Sequence, residues 1–179
     1  MRKIQMLAVV AFAVMANVAM AQTNAIKINI LSPVARTFNI AYEKAISESG
    51  SLQLGFYYTG AKAGDTKISG FGITPEYRMY LSQTPAPNGF YVAPFLRYSS
   101  LTLTSTIDGQ KSEGTLSNFG GGVLVGRQWV FKEKVTFDLF IGPRYQSGSV
   151  KVKSGSDNFE TGFFNGFGVR GGITLGIAF

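Results

Sequence analysis

The sequence predicts an all-β protein, an eight-stranded antiparallel up-and-down transmembrane β-barrel behind a cleaved N-terminal signal peptide. Three observations carry that expectation. Apolar residues recur at every second position from about residue 25 to the end, with no helical period. One face of each alternating run is Gly, Thr, Asn, Gln, Glu or Arg, and the other is almost wholly Ile, Leu, Val, Phe and Tyr. The connections fall, taken alternately, into short turns and longer polar loops.

The first segment, residues 1–21, reads as a signal peptide. Arg2 and Lys3 form a positive start, and "MLAVVAFAVMA" (Met6 to Ala16) is uninterrupted apolar sequence. "AMA" (Ala19 to Ala21) supplies the small residues of a cleavage site before Gln22. Asn17 interrupts the run, which falls short of the roughly 20 apolar residues a spanning helix needs. Residues 22–179 form the barrel domain. The formal charge of the chain is +7, of which Arg2 and Lys3 supply two, and there is no cysteine. Disulfides and thiol ligands are therefore excluded.

The strands follow in order. Ile26, Ile28 and Ile30 alternate with Lys27 and Asn29. Phe38, Ile40 and Tyr42 alternate with Asn39, Ala41 and Glu43. Leu52, Leu54, Phe56 and Tyr58 alternate with Ser51, Gln53, Gly55 and Tyr57. "FGITPEYRMYL" (Phe71 to Leu81) sets Phe71, Ile73, Tyr77 and Met79 against Gly72, Thr74, Glu76 and Arg78. Phe90, Val92, Pro94, Leu96 and Tyr98 alternate with Ala93 and Arg97. After Ser99-Ser100 the apolar phase moves to Leu101 and Leu103, which predicts a β-bulge. Phe119, Val123, Val125 and Trp129 oppose Gly120, Gly122, Gly126 and Gln128. Val135, Phe137, Leu139, Ile141 and Tyr145 oppose Asp138, Gly142, Arg144 and Gln146. Phe167, Val169, Ile173, Leu175, Ile177 and Phe179 oppose Gly168, Arg170, Gly172, Thr174 and Gly176.

"SESG", "SQTPAPNG" and "FKEK" are the expected turns on the side of both termini, and "SPVART", "AKAGDTK", "IDGQKSE" and "VKSGSDN" the outer loops. Lys62, Lys67, Lys111, Lys151 and Lys153 in those loops are balanced by Asp65, Asp108, Glu113, Asp157 and Glu160. That mixture does not make a basic nucleic-acid surface.

A soluble barrel would turn its apolar face inward, and an eight-stranded interior is only wide enough to be filled by side chains. Glycines on the polar face would leave such a core poorly filled, but they make room in a narrow lumen for long Arg, Glu and Tyr side chains. The apolar face is therefore assigned to lipid, with Phe38, Tyr58, Phe90, Trp129, Tyr145 and Phe179 as interfacial aromatic girdles. A charge facing lipid at mid-depth costs about 2–4 kcal/mol. The lumen accordingly receives Lys27, Glu43, Glu76, Arg78, Arg97, Asp138, Arg144 and Arg170, with Arg97 as the expected partner of Glu76. A plug of ion pairs is the expected arrangement, because unpaired buried charge is costly. A proton or ion path and a hidden catalytic cluster are the functional alternatives. Arg127 falls on the lipid face between Val125 and Trp129, and either snorkelling or a second bulge would accommodate it.

No catalytic, cofactor-binding or metal-binding residue is expected. The chain has no His and no Cys, which removes most nucleophile–base pairs and most transition-metal sites. "GFGVRG" (Gly166 to Gly171) matches a dinucleotide fingerprint in letters only, because a strand and not a helix continues through it. "GGGVLVG" (Gly120 to Gly126) lacks the Lys-Ser/Thr of a phosphate loop.

With the strands placed, "NILS" (Asn29 to Ser32), "NIAYEKAI" (Asn39 to Ile46), "PEYRMYL" (Pro75 to Leu81) and "GFYVAPFLRYS" (Gly89 to Ser99) resemble a family of small outer-membrane β-barrels of Bacteroidota, classed as a domain of unknown function. The resemblance implies a barrel in the outer membrane and no catalytic residues. The expected role is structural or surface-interacting rather than enzymatic. An envelope-lipid-modifying enzyme and a narrow pore or lipid-binding barrel are the alternatives. Expected partners are outer-membrane lipid and lipopolysaccharide, the barrel-assembly machinery during insertion, and an unidentified surface partner, with no nucleic acid.

Overall fold

The computed structural model describes residues 23–63, 66–107, 110–154 and 165–179. The expected signal peptide, residues 1–21, and its cleavage point before Gln22 lie outside the described residues, as do Asp65, Asp108, Asp157 and Glu160 of the loops.

Period-two patterning becomes eight strands: β1 (Asn24–Asn29), β2 (Thr37–Ser47), β3 (Gly50–Ala63), β4 (Thr66–Tyr80), β5 (Gly89–Ile107), β6 (Gln110–Phe131), β7 (Val135–Ser154) and β8 (Gly166–Ala178). Each pairs antiparallel with the next, and β8 returns to pair with β1. Closure leaves no sheet edge along these ladders. The described chain ends meet where Asn24 and Phe179 exchange backbone hydrogen bonds, at the end that carries the three short turns. We call this the turn end, and the opposite one the loop end. At the turn end Phe131 and Val135 are joined by a tight hairpin in which Lys132 and Glu133 both take positive φ. Lys134 N–H donates to the Phe131 carbonyl oxygen, and a turn of that hand matches the twist of the flanking strands. At the loop end a single 3-10 turn, Ser32–Ala35, joins β1 to β2.

Stagger decides which side chains meet inside. Stepping between paired residues from Ala25 leads to Glu43, Gln53, Glu76, Phe95, Gly122, Arg144 and finally Gly168. The partner of Ala25 on β8 is Ala178, so one circuit climbs ten residues. Such a shear tilts the strands, and residues level with one another in the lumen are then not register partners.

Alternation assigns the faces. The interior receives odd-numbered residues of β1, β2, β3 and β5 and even-numbered residues of β4, β6, β7 and β8. The outside is apolar all round: Ile28, Leu54, Phe56, Phe71, Leu96, Phe119, Val125, Ile141 and Ile177 are all exposed. Lumen glycines open space, as at Gly72 and Gly126, where an added Cβ would lie 2.2 Å from the Tyr57 ring and 2.5 Å from the Tyr91 ring.

Two sequence expectations need correction or resolution here. No bulge lies at Ser99-Ser100: both ladders of β5 run unbroken past it, from Ser99 opposite Gly72 to Ser105 opposite Thr66, and from Ser99 opposite Asn118 to Leu103 opposite Gly114. The pleat keeps its phase while the chemistry of the interior changes. Leu101 and Leu103 point inward and pack with Leu116 and Ile68 as an apolar collar near the loop end. Register shifts occur instead between Ala45 and Ser47 and between Glu113 and Gly114. At Arg127 the ladders are regular and the side chain is outward, its guanidinium 4.5 Å from the Phe90 ring centre and 4.9 Å from that of Trp129.

Candidate functional site

The lumen holds the chemistry. At the turn end, Glu43 of β2 is fully buried and both of its oxygens are taken. Lys27 of β1 donates to Oε2 at 2.6 Å and Gln128 of β6 to the same atom at 3.0 Å. Ser51 and Tyr80 donate to Oε1 at 2.5 and 2.7 Å. Lys27 also donates to the Gln128 carbonyl oxygen at 2.8 Å and stands 3.7 Å from Asp138.

Arg78 of β4 occupies the middle of the cluster with no exposed surface. Its Nη1 donates to Asp138 Oδ2 at 2.9 Å and Gln128 Oε1 at 3.1 Å, and its Nη2 to Glu76 Oε2 at 3.2 Å. The guanidinium lies 4.4 Å from the centre of the Tyr91 ring, whose hydroxyl donates to Asp138 Oδ1 at 2.8 Å. Each carboxylate thus meets a cation and at least one neutral donor, which is the condition under which buried ion pairs persist.

Above this cluster Arg170 of β8 donates to Glu76 Oε1 at 2.6 Å, and Gln53 donates to Oε2 at 3.0 Å. Arg170 is flanked by Phe95 and Phe140, with its guanidinium 4.6 and 5.2 Å from the ring centres. Arg97 was the expected partner of Glu76, and the structure corrects that: Glu76 pairs with Arg78 and Arg170, and Arg97 lies 4.3 Å over the Tyr57 ring. The reason is the stagger. Phe95, not Arg97, is the β5 neighbour of Glu76, while Arg170 reaches across from a strand half the barrel away. Arg144 hydrogen-bonds to Gln146 on its own strand.

Six of the eight residues assigned to the lumen network are therefore linked by ion pairs, namely Lys27, Glu43, Glu76, Arg78, Asp138 and Arg170. Arg97 and Arg144 stand apart from it towards the loop end. Tyr80, Tyr91, Ser51, Gln53 and Gln128 complete the network without having been singled out as charged sites. Their inward parity was readable from the alternation, but two tyrosines beside a turn look like girdle residues until a partner is seen. Ser51 beside Glu43 and Lys27 has the atoms of a nucleophile and base. It is fully buried, and its hydroxyl is spent as a donor to Glu43.

No curated protein matches the chain. Among solved structures the chain is similar to the N-terminal β-barrel domain of Pseudomonas aeruginosa OprF, with 12% sequence identity and a TM-score of 0.47 over 88% of this chain and 98% of that one. A family model matches residues 5–161, and by that match the chain belongs to the family described as "Protein of unknown function (DUF3575)".

Proposed function

We propose that this protein is an integral barrel of the outer membrane of a Gram-negative cell, such as one of the Bacteroidota, with a structural or surface-interaction role and no catalytic activity. The observation that carries the reading is the inverted polarity of the wall. Ile28, Leu54 and Phe119 are 48%, 55% and 59% exposed, whereas Lys27, Glu43, Arg78 and Asp138 are at most 1% exposed. An apolar band running round a whole molecule is unfavourable in water and suits hydrocarbon. In this reading the turn end and both termini face the periplasm. Lipid and lipopolysaccharide surround the wall, the barrel-assembly machinery inserts it, and the loop end meets a surface partner.

Cell fractionation with surface proteolysis tests the location. The protein is expected in the outer-membrane fraction, beginning at Gln22 by mass spectrometry, and migrating differently on gels with and without boiling. Recovery as a soluble periplasmic species without a heat-dependent shift would replace this reading with a lipocalin-like one. Planar-bilayer recording is expected to show no steady conductance through the charged plug. Single-channel steps in the wild type would favour the narrow pore instead.

A further inference from the structure

Above the plug the lumen does not stay filled. A cavity of about 670 Å³ extends from Gln53 and Thr174 towards Ala35 and Ala61 at the loop end, and Arg97 and Arg170 are the cations that line it. Its volume lies in the range of small-molecule sites, roughly 300–1,000 Å³. The cavity wall contains no aspartate or glutamate among the described residues. Glu76 lies beneath it and is already engaged by Arg78, Arg170 and Gln53. Neither Arg97 nor Arg144 forms an ion pair with a carboxylate among the described residues, so the charge balance of the turn-end cluster is not repeated here.

A second observation is independent of charge. Arg170 Nη1, Gln53 Oε1 and Thr174 Oγ1 are buried polar atoms with no hydrogen-bond partner in the protein, and all three residues line this cavity. Gln53 and Thr174 are only 6% and 7% exposed. Buried polar groups are ordinarily paired, so three orphans around one cavity mark a place where partners come from outside the chain. The two guanidiniums are also held in place before any ligand arrives. Arg170 is braced by Phe95, Phe140 and Glu76, and Arg97 lies flat on Tyr57. A braced guanidinium with a free edge recognises phosphate or carboxylate through paired N–H donors.

We propose that the loop-end half of the lumen binds a small hydroxylated anion, in which a phosphate or carboxylate group lies between Arg97 and Arg170 and hydroxyls meet Gln53 and Thr174. A lipid headgroup carries the same phosphate chemistry. Its acyl chains, however, stay in the bilayer, and the closed wall separates them from the lumen.

Calorimetric titration of the full barrel in an uncharged detergent tests this, with glucose 6-phosphate as the probe and glucose as its uncharged counterpart. Saturable binding of the phosphate and none of glucose is expected. Arg97→Gln should weaken binding about tenfold or more, the loss of one charge-assisted hydrogen bond. Arg97→Lys should fall between the two, because it keeps the charge and loses the fork. Lys44→Gln, on the outer wall, should bind as the wild type does. Heat-dependent gel migration of each variant shows whether it is folded, and Arg97 has no ion pair among the described residues whose loss would unfold the barrel. The proposal is overturned if folded Arg97→Gln binds like the wild type. It is equally overturned if glucose 6-phosphate does not bind, or if only phosphatidylglycerol vesicles do.

Discussion

The two halves of the lumen share one wall and one set of alternation rules, yet they are built differently. In the turn-end half, Lys27 and Arg78 face Glu43 and Asp138, neutral donors fill the remaining lone pairs, and the charged side chains have no exposed surface. In the loop-end half, Arg97 and Arg144 have no carboxylate in ion-pair range among the described residues, buried polar atoms lack partners, and a cavity takes the place of packing. The contrast teaches that lumen charge has no single meaning in a small barrel. Where signs alternate in space the charges seal, and where one sign prevails around open volume they make a receptive surface.

Variants that separate the halves should differ in size in a set order. The largest effect is expected from Glu43→Leu, which strands Lys27 beside Arg78 in the dry cluster and should destabilise the barrel by about 3–5 kcal/mol. Urea titration in liposomes measures it, and a change under about 1 kcal/mol would mean that water reaches the turn-end half. Next comes Tyr77→Lys. Tyr77 is one position from Glu76 but on the outer face, so a lysine there tests the wall and not the plug. Tyr77 lies three residues from the turn-end limit of β4, so the cost should fall below the mid-depth maximum, to about 2 kcal/mol in bilayers. No loss in liposomes would contradict a lipid-facing wall.

A glycine pair gives a smaller and sharper contrast. At Gly126 a Cβ would meet the Tyr91 ring at 2.5 Å and the Leu139 carbonyl oxygen at 2.7 Å, disturbing the tyrosine that holds Asp138. Gly126→Ala should therefore destabilise by about 1–3 kcal/mol. At Gly168, in the other half, the nearest atom is Arg144 Nε at 3.1 Å, on a long side chain and not on backbone. Gly168→Ala should change stability by less than about 0.5 kcal/mol. Equal effects in the same unfolding assay would erase the distinction between a packed and an open half. Arg97→Gln belongs with the small effects on stability, at about 1 kcal/mol or less for the lost stacking on Tyr57.

Strands and faces were legible because the period of two fixes both at once. Phe71 to Leu81 already placed Glu76 and Arg78 on one face and Tyr77 on the other, as the structure has them. Pairing was not legible, since partners depend on strand stagger, and stagger is a property of the closed barrel and not of any segment. That is why Arg97, near in sequence and on the next strand, was expected opposite Glu76, while Arg170 holds the place. The bulge expected at Ser99-Ser100 failed for a different reason. In the sequence a switch of apolar phase looks like a switch of pleat, whereas the interior itself turns apolar at Leu101, Leu103 and Leu116. Phe95, Leu124 and Phe140 are inward apolar residues of the same kind nearer the turn end, and each had been hidden by an outward apolar neighbour.

The hydrogen bonds of the plug also span the chain, and this bears on how the molecule is made. Lys27 and Gln128 are 101 residues apart, Glu76 and Arg170 94, and Glu43 and Gln128 85. No hairpin forming alone completes any of these contacts, and contacts of such long sequence separation form slowly. A nascent barrel that has paired β1 through β4 holds Lys27, Glu43, Glu76 and Arg78, whose charges balance, but it lacks Tyr91, Gln128, Asp138 and Arg170, so hydrogen-bonding groups of the cluster stay without their partners and favour water over lipid. A strand slipped by one residue would turn its inward charge to the outside and leave the same deficit. Completion of the cluster thus coincides with correct closure, because its contacts join strands from β1 to β8 in one register.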